Sequence, residues 1–246
     1  MLIEQKSLSL PAVLGLILGV AAITAVVLSG VGYRLGWWHF TVGIQLSEWA
    51  TYGAAVALVL SITGLVQTRP SSARRGRVVA ILGLLLALVP VGMALQWQYA
   101  TRTYPAINDI STDTLDAPVF WDMPTPTDYP GGKSAETQRT AYPDLAPLTL
   151  QHPPAKAYAY ALATVKDKGW TIVSSVPEEG RIEATASSLL YGFTDEVAIR
   201  VKAVNGGALV DVRSRSRLGK IDRGTNAKRI RAYLADLQKR ASEPQR

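Results

Sequence analysis

The sequence predicts a membrane-anchored α+β protein: three transmembrane helices, then a four-stranded antiparallel sheet with two helices on one face. Three observations carry that prediction. Apolar runs of membrane-spanning length fill residues 1–100. The C-terminal part changes to the period-two alternation of half-buried strands, and stretches with three-four apolar spacing stand on either side of it.

The first apolar run, 8–31, is about 24 residues long, enough to cross a bilayer core. It exceeds the roughly 7–15 residues of a cleavable signal h-region, and Leu28-Ser29-Gly30-Val31-Gly32 is a poor cleavage site, so a retained span is expected. The second and third spans are expected at 44–66 and 78–95. Glu48 lies within a turn of the interface, where it can snorkel to water. Gly53, Ala54, Ala57, Ser61 and Gly64 permit close helix packing.

Between the second and third spans, Arg69-Pro70-Ser71-Ser72-Ala73-Arg74-Arg75-Gly76-Arg77 places four arginines in a short loop. Clustered cations resist translocation, so this loop and the N-terminus with Lys6 are expected in the cytoplasm and the C-terminal part outside it. Trp37, Trp38 and His39, with Trp97 and Tyr99, then form an aromatic belt at the outer interface. Three spans with so few polar groups suit an anchor or a docking bundle better than a transporter.

The net charge of +7 divides into +4 from residues 1–100 and +3 from the remainder. Membrane topology therefore accounts for more than half of it, and no aromatic-basic motif supports nucleic-acid binding. With no cysteine in the chain, disulfides, thiolate metal sites and thiol nucleophiles are excluded.

Residues 101–152 are rich in proline, with a Pro-Gly-Gly turn at 130–132, and are expected as an extended segment packing on the outer domain. The segment also holds Asp109 and Asp113, whose spacing suits an acid/base pair, a cation site or a solvated loop.

The outer domain is expected over 153–246. A helix over 153–168 has Ala155, Tyr158, Leu162 and Val165 on one stripe and ends at Gly169. Strands follow at 170–176, 181–187, 193–204 and 208–217, with Asn205-Gly206 as the hairpin turn of the last pair. A second helix over 225–240 buries Ala227, Ile230, Leu234, Leu237 and Ala241, with Thr225 or Asn226 as N-cap.

The last strand is the unusual one. Alternation places Val210 and Val212 on one face and Asp211, Arg213, Arg215 and Arg217 on the other, with Arg200 and Lys202 of the neighbouring strand on that same side. This arginine-bearing face is expected to be open. It reads either as a solvated surface with arginine–carboxylate cross-strand pairs or as an anion site beside a helix N-terminus.

Several motifs in order resemble the family of the domain of unknown function 1499. They are Asn108-Asp109-Ile110-Ser111-Thr112-Asp113, Gly169-Trp170, Ile182-Glu183-Ala184, Gly192-Phe193-Thr194-Asp195-Glu196, Asp211-Val212-Arg213-Ser214-Arg215-Ser216-Arg217 and Asp222-Arg223-Gly224-Thr225-Asn226-Ala227-Lys228-Arg229-Ile230. The resemblance spans about 105–240; Glu196 departs from it, standing where the family pattern often has a second aspartate. Family members occur in bacterial envelope and plant plastid proteins; this envelope context, joined to the three spans and the arginine loop, leads to the expectation of a multi-pass protein of the bacterial inner membrane with a periplasmic C-terminal domain. The resemblance supplies no catalytic residues.

The leading expectation is a non-enzymatic module that binds an anionic lipid headgroup, a polysaccharide or an acidic protein. Its contacts are Arg213, Arg215, Arg217, Arg200, Asn226, Arg229, Asp195, Asp109 and Asp113, with no cofactor or metal. One rival is a hydrolase or transferase acting on phosphate- or sugar-containing envelope material, with Asp109, Asp113 or Asp195 as acid/base and the arginines as clamp. It requires those acids to converge with the arginines in one cleft. Another is a structural subunit of a membrane complex. His152, alone among outer-domain histidines and followed by two prolines, reads as a helix-entry residue. G-x-S-x-G and phosphate-loop motifs are absent from the sequence.

Overall fold

A computed structural model describes residues 6–125 and 127–243 and divides into two compact units. The first comprises Met1–Tyr99 with Leu189–Gly192. Its helices are α1 (Leu10–Arg34), α2 (Phe40–Gln67) and α3 (Arg77–Thr103), each long and apolar enough to cross a membrane. They extend beyond the apolar runs because backbone hydrogen bonding continues past the hydrocarbon-length segment. The imidazole of His39, for example, caps α2 by accepting from the Thr41 N–H.

Small residues bring these helices together. A Cβ on Gly64 would lie 2.8 Å from the Ala12 Cα, and one on Gly83 would lie 2.6 Å from the Ser61 Oγ and 2.7 Å from the Leu16 N. Ser61 is thus wedged where the three helices cross, with its hydroxyl buried and unpartnered among the described residues. Elsewhere in this unit the Tyr191 hydroxyl shares hydrogen bonds with Ser29 Oγ at 3.0 Å and Ser47 Oγ at 2.8 Å. Two short strands, β1 (Ser7–Leu8) and β2 (Arg74–Arg75), pair in parallel.

The second unit, Ala100–Ser188 with Phe193–Arg246, is an antiparallel sheet with helices. Its strands are β3 (Asp109–Ser111), β4 (Leu148–Leu150), β5 (Thr171–Val176), β6 (Arg181–Ser187), β7 (Thr194–Val204) and β8 (Gly207–Ser216). They run in the order β3-β8-β7-β6-β5, with β4 also beside β8. The sheet therefore has six strands rather than the four expected. The extra two are three residues each, too short to show periodicity, and they share the free edge of β8 in succession. Leu148–Leu150 pair opposite Ala208–Val210, and Asp109–Ser111 opposite Arg213–Arg215.

Helices α5 (Pro154–Asp167) and α6 (Thr225–Ser242) cover one face, burying Ile110, Ile182, Val197, Ile199, Val210 and Val212 against Ala161, Val165, Ile230 and Leu237. The stripe of α5 is Ala157, Tyr158, Ala161 and Val165; Ala155, expected inside, is exposed. Helix α6 starts from Gly224 in the left-handed region (φ 78°), and the Asp222 carboxylate accepts from the N–H groups of Gly224 and Asn226. That displaces Thr225 and Asn226 from the expected cap position, because an aspartate two residues before the cap satisfies the same free donors. A further helix, α4 (Gly132–Ala141), sends Gln138 to the edge of β3, where its amide bonds both the N–H and the C=O of Ser111.

Candidate functional site

The face opposite α5 and α6 carries Asp211, Arg213 and Arg215 of β8 and Arg200 of β7, as alternation assigned them, and the register adds Glu196 of β7, Arg181 and Glu183 of β6 and Asp109 of β3. The expectation that this face is open is corrected. Residues 112–125 and 127–129 lie across it as a strap, and Arg213, Glu183 and Asp211 are fully buried beneath. Such burial is tolerable only because each charge meets a partner.

Arg213 shows how complete the pairing is. Its Nε and Nη2 donate to the two Asp109 carboxylate oxygens at 2.9 and 2.7 Å, while Nη1 and Nη2 donate to the Pro118 and Thr127 carbonyls at 3.1 Å each. The Phe120 ring, fully buried, lies under two guanidinium groups, 4.6 Å from that of Arg213 and 4.4 Å from that of Arg215. Ala198, small and on the same face of β7, packs with Phe120 and Met123. Farther along, the Glu183 carboxylate accepts from the Trp121 and Asp122 N–H groups at 2.7 and 3.1 Å and from Arg181 at 3.0 Å, tethering the strap to the sheet.

Arg215 and Arg217 share one carboxylate. Glu196 accepts from the Arg215 Nε at 2.7 Å and from the Arg217 Nε and Nη2 at 3.0 and 2.9 Å. Arg215 also donates to the Thr125 carbonyl and the Thr127 hydroxyl. These residues border a polar cleft of about 300 Å³ whose lining includes Asp109, Asp128, Glu196, Arg215 and Arg217. The Arg217 side chain is 38% exposed against 10% for Arg215, so Arg217 is the reachable cation.

The remaining candidates lie elsewhere. Arg200 pairs with Asp211 at 3.0 Å and with Asp116 of the strap at 3.2 Å. Asp113 bonds the N–H groups of Leu115 and Asp116 and so holds a turn. Asp195 points to the helix side, pairing with Arg229 at 2.5 Å; Arg229 reaches Ser214 Oγ, which donates to the buried Asn226. The nine residues therefore separate into the cleft with its adjoining buried pair, a strap-edge cluster and a network across the sheet.

The electrostatics follow these placements. Lys202 and then Arg200 hold the Asp116 carboxyl below its ordinary range. Burial raises Asp211 against the pull of Arg200, and burial raises Asp222 against its backbone donors. Burial and the Asp109 charge push the Tyr129 phenol up to about 12. Among the described residues no group of three histidine, aspartate or glutamate side chains is placed to hold a metal ion.

Sequence reasoning passed over Phe120, Thr125, Thr127 and Gln138, which carry no motif of their own. Glu196 was visible only as a departure from a pattern, although its place one residue after Asp195 already puts it on the arginine side.

Three apolar helices followed by an α+β domain, whose charged sheet face is sealed by a strap, define the class of protein. The chain belongs to the family described as protein of unknown function (DUF1499), whose model matches residues 109–237. The match begins at Asp109 and takes in Arg213, so both halves of the buried pair lie inside it. No curated protein matches the chain.

Proposed function

We propose that the chain is a multi-pass protein of the bacterial inner membrane with the arginine loop in the cytoplasm, and that its periplasmic α+β domain is a non-enzymatic module binding an anionic envelope ligand. The observation that carries this reading is the cleft beside Arg217, where a half-exposed guanidinium stands next to a buried one, with the Asp128 carboxylate in the same lining. Arg217 is the first contact for a phosphate or carboxylate, and the Asp128 carboxylate suits a hydroxyl on the same ligand, as an anionic polysaccharide would present. The enzymatic alternative is disfavoured because Asp113 is engaged in its own turn and Asp195 faces the helices; of those three acids only Asp109 reaches the cleft, and both of its oxygens are taken by Arg213.

The test titrates the full chain in neutral detergent with an oligosaccharide of uronic acids at low and high salt. Binding that weakens with salt and falls about tenfold in Arg217→Gln is expected, since a charge-assisted hydrogen bond contributes roughly 1.5–3 kcal/mol. Absent binding at low salt, or equal binding by the variant, overturns the proposal.

A further inference from the structure

The arginine cluster at the other end of the sequence carries a second site. In the α+β unit, Arg181, Arg200, Arg213, Arg215, Arg217 and Arg229 each pair with a carboxylate. In the helical unit, Lys6, Arg69, Arg74, Arg75 and Arg77 are exposed, and none has a carboxylate partner among the described residues.

Nor is their placement that of a slack loop. β1 pairs with β2 so that Ser7 stands opposite Arg74 and Leu8 opposite Arg75. The Lys6 Nζ donates to the Ser72 carbonyl at 2.7 Å, and the Ser9 N–H to the Arg75 carbonyl at 3.0 Å. Ser9 in turn donates from its hydroxyl to the Gln67 Oε1 at 2.9 Å and accepts from the Ala12 N–H, fixing the clamp to the ends of α1 and α2. The fold thus gathers five cations, without a carboxylate partner among the described residues, at one end of the bundle, against their mutual repulsion. Immediately beyond them the exposed side chains become apolar: Leu8 is 48% exposed, Leu10 62% and Val78 68%.

Cations followed by exposed apolar surface match an amphiphile with an anionic head. We propose that this clamp binds an anionic glycerophospholipid, its phosphate among Lys6, Arg69, Arg74 and Arg75 and its acyl chains along Leu10 and Val78. The inference rests on the reading that the helices span a membrane. Clustered basic residues beside a membrane gain substantially from each anionic headgroup they meet, and ordering them beforehand lowers the entropy lost on binding.

Extraction of membranes with alkaline carbonate comes first. Release of the chain into the supernatant would remove the membrane reading and this proposal with it, whereas retention leaves the site to be judged separately. The full chain, delipidated in neutral detergent, is then titrated with phosphatidylglycerol, phosphatidylcholine or water-soluble glycerol phosphate while bound lipid is counted by native mass spectrometry. Phosphatidylglycerol is expected to bind about tenfold more tightly than phosphatidylcholine, with the preference shrinking in salt and glycerol phosphate binding far more weakly. In Arg69→Gln/Arg74→Gln/Arg75→Gln the preference is expected to vanish with phosphatidylcholine binding unchanged. If that variant cannot be purified, Arg75→Gln alone is expected to reduce the preference about fivefold. Equal affinity for the two lipids in the parent chain, an undiminished preference in the variant, or glycerol phosphate binding as tightly as the lipid would each overturn the proposal.

Discussion

Arg213 and Asp109, 104 residues apart in the chain, meet through two hydrogen bonds of 2.9 and 2.7 Å beneath the strap. They are diagonal rather than direct neighbours, since Asp109 stands opposite Arg215 and Arg213 opposite Ser111. The short strand β3 exists at this register, and the ion pair joins it to the middle of the sheet.

Removing one partner strands the other. Asp109→Ala leaves the fully buried Arg213 guanidinium with backbone carbonyls alone, and a loss of about 3–5 kcal/mol is expected. Asp109→Leu combined with Arg213→Met removes both charges, and most of that loss is expected to return. Urea denaturation followed by near-ultraviolet circular dichroism compares them; a double variant as unstable as the single would show that the charge pair is not what burial demands.

Phe120 and Trp121 are adjacent on the strap but unequal. Phe120 is fully buried under two guanidinium groups, whereas Trp121 is 66% exposed. Phe120→Ala is expected to cost about 3–5 kcal/mol and to speed hydrogen exchange at the Trp121 and Asp122 amides. Trp121→Ala should stay within about 0.5 kcal/mol of the parent chain. Similar losses from both would mean that the strap does not seat on the sheet through Phe120.

This contrast also shows what the sequence could and could not disclose. The long strands, the Asn205-Gly206 hairpin and the three apolar helices were legible because each repeats a local period over many residues. Which residues share the arginine face was legible for the same reason, and it is why Arg213, Arg215 and Arg200 were singled out. What covers that face was not, because the strap makes its contacts through backbone N–H and C=O groups and isolated side chains such as Phe120 and Asp116, which leave no periodic trace. The pairings of Asp109 and Asp195 to opposite sides of the sheet depend on registers between distant segments, and β3 and β4 are too short to announce themselves.

Two tyrosines outside the helical bundle report the strap and the α6 side at high pH. Burial pushes the phenols of Tyr129 and Tyr142 up to about 12 from an ordinary 10.0. A folded-state value above the unfolded one favours the neutral phenol, so the stability it contributes is complete below pH 10 and is lost as pH rises towards 12. Absorbance at the phenolate band is expected to show both titrating late in the folded chain and near 10 in urea, with Tyr129→Phe removing one late proton. Titration near 10 in the folded chain would contradict the burial of these groups.

Gly83 and Gly92 both lie in α3, yet alanine should act on them with opposite sign. At Gly83 a Cβ would fall 2.7 Å from the Leu16 N and 2.9 Å from the Gly15 carbonyl carbon, so α1 would have to move away and the packing about Ser61 would open. At Gly92 a Cβ meets nothing within 4 Å, and alanine simply removes the conformational freedom of a glycine in a helix interior. Gly83→Ala is therefore expected to lose about 1–3 kcal/mol and to melt several degrees lower in detergent, while Gly92→Ala gains roughly 0.5–1 kcal/mol. Melting curves for the full chain, read from far-ultraviolet circular dichroism, compare the pair directly. If both variants shift the same way, close backbone approach at Gly83 is not what holds α3 against α1.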